Sequence, residues 1–248
     1  MPGPAIEVAR FVARENRFVV RARRAGERQA PGEEVRAYLP NTARLSDLLV
    51  PEARLILARN DDPHRRTRWT VTRVWDGTWV ALEAAAASGL VADHLGAGGT
   101  LPGWPPISAV RREVARAGHR FDLEVDLADG DVGVVEVKSL SRSRAGVAPL
   151  SSTPSQRGVA HLDALSRMAG EGQPAAVAFV VQRADVDVLD LDAPAESSWT
   201  DAVRRARGRG VQVVAFACEV DEEGLRLDRS LPVRPEVPLE RGVRSTSP

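Results

Sequence analysis

The sequence predicts two domains, a small β-barrel followed by a larger α/β domain with a mixed sheet. Strand-like segments dominate the first 82 residues, and helix-like and strand-like segments alternate after residue 106. A stretch rich in glycine and proline, 96–106, separates the two patterns. We therefore expect a first domain over 1–100, a second over 101–233, and a disordered, proline-containing tail over 234–248.

The strands of the first domain are separated by turn signals. Segments 17–23 and 34–39 flank a glycine-bounded turn, and 54–59 follows a short helical turn at 45–49. Segments 69–75 and 78–82 are joined by Asp76-Gly77, a strong hairpin signal. Five short strands in about 80 residues are consistent with an OB-fold, a five-stranded barrel whose surface binds oligonucleotides. An alanine-rich helix at 83–95 is expected to end this domain.

The second domain begins with a predicted helix at 107–117. Strands at 120–127 and 132–139 follow, then a helix at 154–169 and a strand at 175–182. A helix at 199–209 and a strand at 211–220 complete the pattern. This α-β-β-α-β-α-β order is typical of an α/β domain with a mixed sheet.

Composition excludes several classes of protein. The single cysteine, Cys218, lies in an apolar strand and cannot form an internal disulfide, which suits a reducing cytoplasm. No stretch is apolar enough to span a membrane, and the N-terminus has no apolar signal core, so we expect a cytoplasmic protein without a membrane partner. The net charge of zero does not by itself indicate a nucleic-acid partner.

Lys138 is the only lysine of the chain, although the chain has 34 basic residues. It follows Glu136 by two residues in a valine-rich strand. Lysine differs from arginine where a compact donor or a tunable ammonium is needed. A lysine kept at this one position is therefore a candidate catalytic group.

Three carboxylates accompany Lys138 in this region. Glu136 and Lys138 share one face of their strand, because alternate residues point to the same side. Asp122 lies on the preceding strand and can meet Glu136 across the hairpin, and Glu113 lies on the predicted helix before it. Clustered carboxylates repel each other and raise each other's pKa.

A divalent cation would resolve that repulsion. Oxygen ligands suit Mg²⁺ or Mn²⁺, which bind one or two carboxylates and keep several waters. The cation would be held by Asp122, Glu136 and Glu113, and Lys138 would act on the attacking water, which predicts phosphodiester hydrolysis. The alternative is that Glu136 and Lys138 form a half-exposed ion pair of little consequence.

Two groups of basic residues are candidates for binding nucleic acid. The first comprises Arg65, Arg66 and Arg68 in a loop that ends in Trp69, extended by Arg21 and Arg23. Arginines that contact phosphates beside aromatic rings are typical of surfaces that bind single strands. The second is Arg157 with His161, spaced i, i+4 on the helix 154–169, where both could contact the scissile phosphate. For each group an exposed, solvated face is the alternative.

Between residues 10 and 233 the chain resembles the sugar fermentation stimulation protein (SfsA) family. The matching stretches, in order, are Pro40-Asn41-Thr42, Asn60-Asp61-Asp62-Pro63, Gly77-Thr78-Trp79-Val80, Arg111-Arg112-Glu113-Val114, Arg120-Phe121-Asp122-Leu123, Val135-Glu136-Val137-Lys138, Arg157-Gly158 with His161-Leu162, and Phe179-Val180-Val181-Gln182-Arg183. The chain departs from the family pattern at Ala43, where glycine is usual, and at Ser139, where asparagine is usual.

The resemblance implies an N-terminal OB-like domain and a C-terminal PD-(D/E)XK domain of the restriction-endonuclease-like class. Asp122, Glu136 and Lys138 then match the D…E-x-K positions, and Glu113 matches a helix glutamate. It also implies DNA binding, with RNA left open, and metal-dependent nuclease capability. The alternative is a non-catalytic DNA-binding regulator of sugar-utilisation genes on the same scaffold. The sequence leaves the oligomeric state open, a homodimer included.

Overall fold

The fold is seen in a computed structural model of the chain, in which residues 5–24, 32–150, 156–192 and 198–234 are described. Of the predicted tail, 234–248, all but Arg234 lies outside the described residues. No helix in the described ranges is long and apolar enough to cross a membrane.

A closed barrel forms the N-terminal part of the chain. Its strands are β1 (Ile6–Asn16), β2 (Val19–Arg24), β3 (Glu34–Tyr38), β4 (Arg54–Arg59) and β5 (Trp69–Trp75). β1 pairs antiparallel with β2 and β4, β2 pairs with β3, and β4 pairs with β5. A short parallel contact between β3 and β5 closes the barrel around buried side chains such as Val20, Leu55 and Val71. This is the OB-like barrel that the sequence predicts.

β1 is not among the predicted strands, and β6 (Trp79–Ala81) stands in the prediction as the fifth strand of the barrel. The pairing of β1 with β2 is irregular between Phe11 and Ala13 and again between Arg14 and Asn16. Such bulges interrupt the alternation of buried and exposed residues by which a strand is recognised. β6 pairs with β5 and extends the sheet beyond the barrel.

The second domain is built on a six-stranded sheet in the order β14-β13-β11-β9-β8-β7. These strands are β7 (Ile107–Arg116), β8 (His119–Leu127), β9 (Val132–Leu140), β11 (Ala175–Val181), β13 (Gln212–Val220) and β14 (Leu225–Leu231). β11 runs parallel to β9 and β13, and the other neighbours are antiparallel, so the sheet is mixed as predicted. A small parallel sheet joins β10 (Gly146–Pro149), β12 (Val186–Asp190) and β15 (Val233–Arg234).

Helices cover both faces of the six-stranded sheet. α2 (Gln156–Gly170) and α3 (Ser198–Gly208) bury one face in a cluster that includes Phe179 and Leu165. α1 (Ala86–Gly96) packs on the opposite face against β7, β8, β9 and β14. This packing places the change of domain between β6 and α1, earlier in the chain than the expected boundary at 100/101.

The predicted helix at 107–117 is wrong, because these residues form β7. Its apolar residues Ile107, Val110 and Val114 are spaced by three and four, which favours a helix in a sequence reading. In the structure the spacing of three comes from a register shift between Ile107 and Ala109, whereas the spacing of four keeps Val110 and Val114 on one face of a regular strand. These three side chains are partly buried, and the other residues of β7 are exposed.

The two domains share a buried junction. Ile56, Trp79 and Ala81 belong to the same apolar cluster as the face of the six-stranded sheet that α1 covers. Beside this cluster the guanidinium of Arg183, only 3% exposed, donates hydrogen bonds to Asp76 in the β5–β6 hairpin and to Asp185. The barrel therefore packs directly on the second domain, through both apolar and charged contacts.

Candidate active site

The candidate site lies where β8 separates from β9. The two strands pair as far as Leu123 and Val135, and the pairing stops at Asp122. There the Asp122 side chain accepts a hydrogen bond from the Val137 N–H, at 2.7 Å between Oδ2 and N. The carboxylate thus satisfies a backbone donor that the sheet leaves open, and it is held beside Glu136, its neighbour in the register.

Glu136 is the centre of the site. The residue is 3% exposed, in the part of β9 that also pairs with β11. Its Oε1 is bonded to the Lys138 ammonium and to Nδ1 of His161, at 2.7 Å from the latter. Its Oε2 is buried and has no hydrogen-bond partner among the described residues. A buried carboxylate oxygen without a partner is costly unless a bound water or ion satisfies it.

The electrostatic environment of Asp122 also favours a positively charged ligand. Burial raises the pKa of Asp122, and the neighbouring charge of Glu136 raises it further. The Val137 N–H, Lys138 and His161 oppose this rise without cancelling it. Two carboxylates therefore share a partly dry site in which their negative charge is incompletely balanced.

The donors of this pair fit a small divalent cation. The described residues hold no metal-sized group of three or more His, Cys, Asp or Glu side chains. Mg²⁺ and Mn²⁺ are nevertheless bound in many proteins by one or two carboxylates and several waters. Asp122 and Glu136, with the unpartnered Oε2, supply that minimum set.

Glu113, the predicted third ligand, lies outside this pair. It is on β7 and not on a helix, at the register position opposite Asp122 between the pairs Arg112–Leu123 and Val114–Phe121. Its positive φ is uncommon for a residue other than glycine. Its carboxylate, 63% exposed, is paired with Arg120. In this structure Glu113 is close to Asp122 along the sheet but is bound elsewhere.

Arg157 and His161 do not share the environment expected of them. Arg157 is exposed near the start of α2, whereas His161, one turn later, is 4% exposed and bonded to Glu136. The ring of His161 also packs against Phe121 and His119, with ring centroids 5.3 and 5.5 Å away. His119 was not expected at the site, because only the β7–β8 hairpin brings it there.

The predicted arginines of the barrel lie in one loop and on one strand. Arg65, Arg66 and Arg68 are exposed in the β4–β5 loop, a region that binds oligonucleotides in OB-folds. Arg21 and Arg23 are exposed on β2 but form ion pairs with Glu34 at 2.8 Å and Glu52 at 3.3 Å. Their charges are thus partly balanced, and the loop carries the less compensated positive charge.

Aromatic rings accompany these arginines, as single-strand binding would require. The guanidinium of Arg65 lies 5.6 Å from the ring centre of Tyr38, and that of Arg24 lies 4.9 Å from the ring of Trp69. Arg24, Arg68 and Trp69 also line a cavity of about 200 Å³ with Val35, Arg59 and Glu33. Tyr38 was missed in the sequence, where it reads only as a strand residue.

Comparison with known proteins gives a consistent picture. The family model described as the SfsA N-terminal OB domain matches residues 12–82, and the one described as the sugar fermentation stimulation protein RE domain matches residues 85–224. A sugar fermentation stimulation protein homolog of Chloroflexus aurantiacus is 38% identical over 232 residues, covering 93% of this chain and 86% of that protein. The homolog of Acetivibrio thermocellus is 34% identical and covers 91% and 95%.

A solved structure has the same fold. It is that of Pyrococcus furiosus SfsA in complex with Ca²⁺, which matches with a TM-score of 0.75 at 19% identity and covers 94% of this chain and 97% of that one. The prediction of an OB-like barrel followed by a restriction-endonuclease-like domain is confirmed. The chain belongs to the sugar fermentation stimulation protein family.

Proposed function

We propose that this protein binds DNA and hydrolyses its phosphodiester bonds with the help of Mg²⁺ or Mn²⁺. The observation that carries the proposal is the buried pair of Asp122 and Glu136, with one Glu136 oxygen unpartnered and the only lysine of the chain beside it. A metal-dependent nuclease needs both an oxygen-lined cation site and a nearby cation or base that acts on the water. The structure of the Pyrococcus furiosus relative is of a complex with Ca²⁺, which supports the expectation that a protein of this fold binds a divalent cation.

Each residue of the site would have a separate role in hydrolysis. Asp122 and Glu136 would hold the cation, whose role is to polarise a phosphoryl oxygen and to lower the pKa of a bound water. The ammonium of Lys138, 30% exposed and anchored on Glu136, would orient the attacking water or stabilise the charge that develops on the phosphoryl group. Arginine would serve poorly there because its guanidinium is larger and planar. Glu113 could join only by leaving Arg120.

DNA would be held mainly through its backbone. Arg65, Arg66 and Arg68 would contact phosphates, with Arg157 as a further contact near the catalytic pair. Binding of this kind releases counterions, so affinity should fall steeply as salt increases. Tyr38 beside Arg65 offers a ring for base stacking, which favours single-stranded segments.

A non-catalytic DNA-binding regulator is the second candidate. It is favoured by one arrangement in the structure, in which Lys138 is paired with Glu136 and Glu113 is paired with Arg120. Ion pairs of this kind can belong to a scaffold that has no catalytic activity. The two candidates differ in whether DNA is cut when metal is present.

The decisive experiment is a cleavage and binding assay on labelled single- and double-stranded DNA and RNA of one sequence, with Mg²⁺, Mn²⁺ or EDTA. The variants are Lys138→Ala and Asp122→Asn. The matched control is Asp126→Asn, which removes a carboxylate of the same strand that is bound to Arg111 and lies away from Lys138. We expect both site variants to lower the cleavage rate by about 100-fold or more, and the control to stay within about threefold.

The outcomes separate the candidates. A cleavage rate that is unchanged in both site variants would rule out Asp122 and Lys138 as catalytic residues. Salt-dependent binding without cleavage, unaltered by metal, would establish the regulator. Cleavage of RNA but not of DNA would show that the substrate is RNA.

A further inference from the structure

His161 stands out among the histidines because it is buried and bonded to a carboxylate. Its Nδ1 is 2.7 Å from Glu136 Oε1, and the two side chains are 5% and 3% exposed. A buried carboxylate oxygen is an acceptor, so the imidazole must donate through Nδ1–H. This contact fixes the tautomer of His161, and in the neutral ring Nε2 is then the acceptor.

The contact also fixes how Glu136 is presented. Oε1 is occupied by two donors, Lys138 and His161, and Oε2 is left without a partner. A carboxylate held by two donors on one oxygen cannot rotate freely. Its other oxygen is then presented in one direction, as a cation ligand must be.

The ring of His161 is itself held in place. Phe121 packs against it with the rings tilted by 49°, and His119 contacts it edge to face at 85°. The ring comes from α2, while Phe121 and His119 come from β8, the strand that also carries Asp122. The orientation of Glu136 thus depends on the docking of α2 against β8.

We propose that His161 is a positioning residue for the cation site, which orients Glu136 so that Oε2 is available to the metal, and that it does not contact DNA. This inference rests on the proposed function for the identity of the site. It differs from the expectation drawn from the sequence, in which His161 and Arg157 contact the scissile phosphate together. The burial of His161 argues against that contact, because a phosphate could not reach a side chain so enclosed.

The test compares two substitutions of His161 in the full-length protein. His161→Leu removes the donor, whereas His161→Asn keeps an N–H close to the position of Nδ1. The control is His94→Leu, which removes a histidine that packs edge to face on Phe216, away from the carboxylates. Mn²⁺ affinity is measured by titration calorimetry and by electron paramagnetic resonance, and cleavage is measured as kcat and KM for DNA.

We expect His161→Leu to weaken Mn²⁺ binding by about 10- to 100-fold, the range found when a partner of a metal ligand is removed. His161→Asn should restore affinity to within about threefold of wild type, and His94→Leu should leave it unchanged. If the protein cleaves DNA, kcat should fall in His161→Leu while KM for DNA stays the same.

Three results would overturn the inference. Wild-type Mn²⁺ affinity in His161→Leu would show that Glu136 needs no positioning. Equal loss in His161→Asn and His161→Leu would show that the donor is not what matters. A raised KM with unchanged metal affinity would return His161 to the role of a phosphate contact.

The same experiment separates this inference from the proposed function. Mn²⁺ binding that depends on His161 without any cleavage supports the positioning role and rejects the nuclease. Cleavage of DNA together with an Mn²⁺ affinity that is unchanged in His161→Leu supports the nuclease and rejects the positioning role. Absence of Mn²⁺ binding by the wild type would reject both.

Discussion

The carboxylate of Asp122 is held in the folded protein at a cost. Its pKa is raised by burial and by Glu136, so the charged form is less favourable in the folded chain than in the unfolded chain. A carboxylate with a raised pKa stabilises the fold at low pH, and this contribution is lost as the pH rises through the folded-state pKa. At neutral pH without metal, Asp122 therefore destabilises the protein.

Asp122→Asn should consequently stabilise the metal-free protein at pH 7. The amide oxygen of asparagine can still accept the hydrogen bond from Val137, while the charge disappears. We expect the melting temperature in EDTA to rise by about 2–4 °C, as a gain of about 1 kcal/mol gives in a chain of this size. Calorimetry at pH 7 and again at about pH 4, where aspartate begins to protonate, measures it.

The pH series is the control for this prediction. The gain should shrink at low pH, where the wild-type carboxylate is protonated, and it should reverse when saturating Mn²⁺ is added at pH 7. A gain of the same size at both pH values would show that charge is not the cause.

At these positions the sequence was informative because alternation along a strand is a local property. Glu136 and Lys138 could be placed on one face, and Asp122 opposite them, from spacing alone. The role of His161 could not be predicted in this way. It depends on how α2 docks on the sheet, which brings together residues 25 positions apart in the chain.

The β7–β8 hairpin carries the irregular part of the site. Its turn has two consecutive residues with positive φ, Ala117 at 47° and Gly118 at 76°. Two such residues are the mark of a type I′ turn, for which Asn-Gly is preferred. Alanine adopts this conformation at a cost, so Ala117 is a strained position.

Ala117→Asn should therefore stabilise the protein, by about 0.5–1 kcal/mol, because asparagine tolerates positive φ better than alanine does. Urea unfolding with an unchanged m-value measures the gain. The paired variant Ala117→Val should be destabilising, because a β-branched side chain is poorly tolerated at positive φ. Equal stability of the two variants would contradict this description of the turn.

The same hairpin shows why a sequence reading can mistake a strand for a helix. A period of two predicts a strand only while the strand is regular. The register shift near Ile107 gives the apolar spacing of three, and an arginine at position 112, between Val110 and Val114, gives the spacing of four. β11, which has no such irregularity, was predicted within a residue of its bounds, whereas β10, β12, β14 and β15 were not predicted.

The contacts between the barrel and the second domain set the behaviour of the protein as a unit. Arg183 is buried yet keeps its charge, because Asp185 and Asp76 raise its pKa by more than burial lowers it. Asp76 belongs to the β5–β6 hairpin and Arg183 follows β11, so the interaction joins elements 107 residues apart. No local sequence pattern predicts the pair of Arg183 and Asp76. The order of the two domains, in contrast, could be predicted from local patterns.

Arg183→Met should weaken this junction. We expect the free energy of unfolding to fall by about 1.5–3 kcal/mol, the usual cost of removing hydrogen bonds to charged groups. The loss should not be larger, because Asp76 and Asp185 are half-exposed and can regain water. Hydrogen exchange at the amides of residues 75–81 should speed up, which reports loosening of the hairpin.

The control for this variant is Arg204→Met, which breaks a surface ion pair with Asp192. It should change stability by no more than about 0.5 kcal/mol. A loss of similar size in both variants would show that Arg183 does not hold the domains together.

The positive φ at Glu113 has a consequence for the protein in concentrated solution. β7 is the last strand of its sheet, so one side of its backbone could accept a strand from another molecule. The bent backbone at Glu113 interrupts the straight edge that such an addition needs. Arg111, Arg112 and Arg116 are exposed along β7, and charged side chains on an edge strand disfavour the addition of another strand, although Arg111 and Arg116 are paired with Glu124. The irregularity beside Asp122 and Glu136 should thus also disfavour aggregation through that edge.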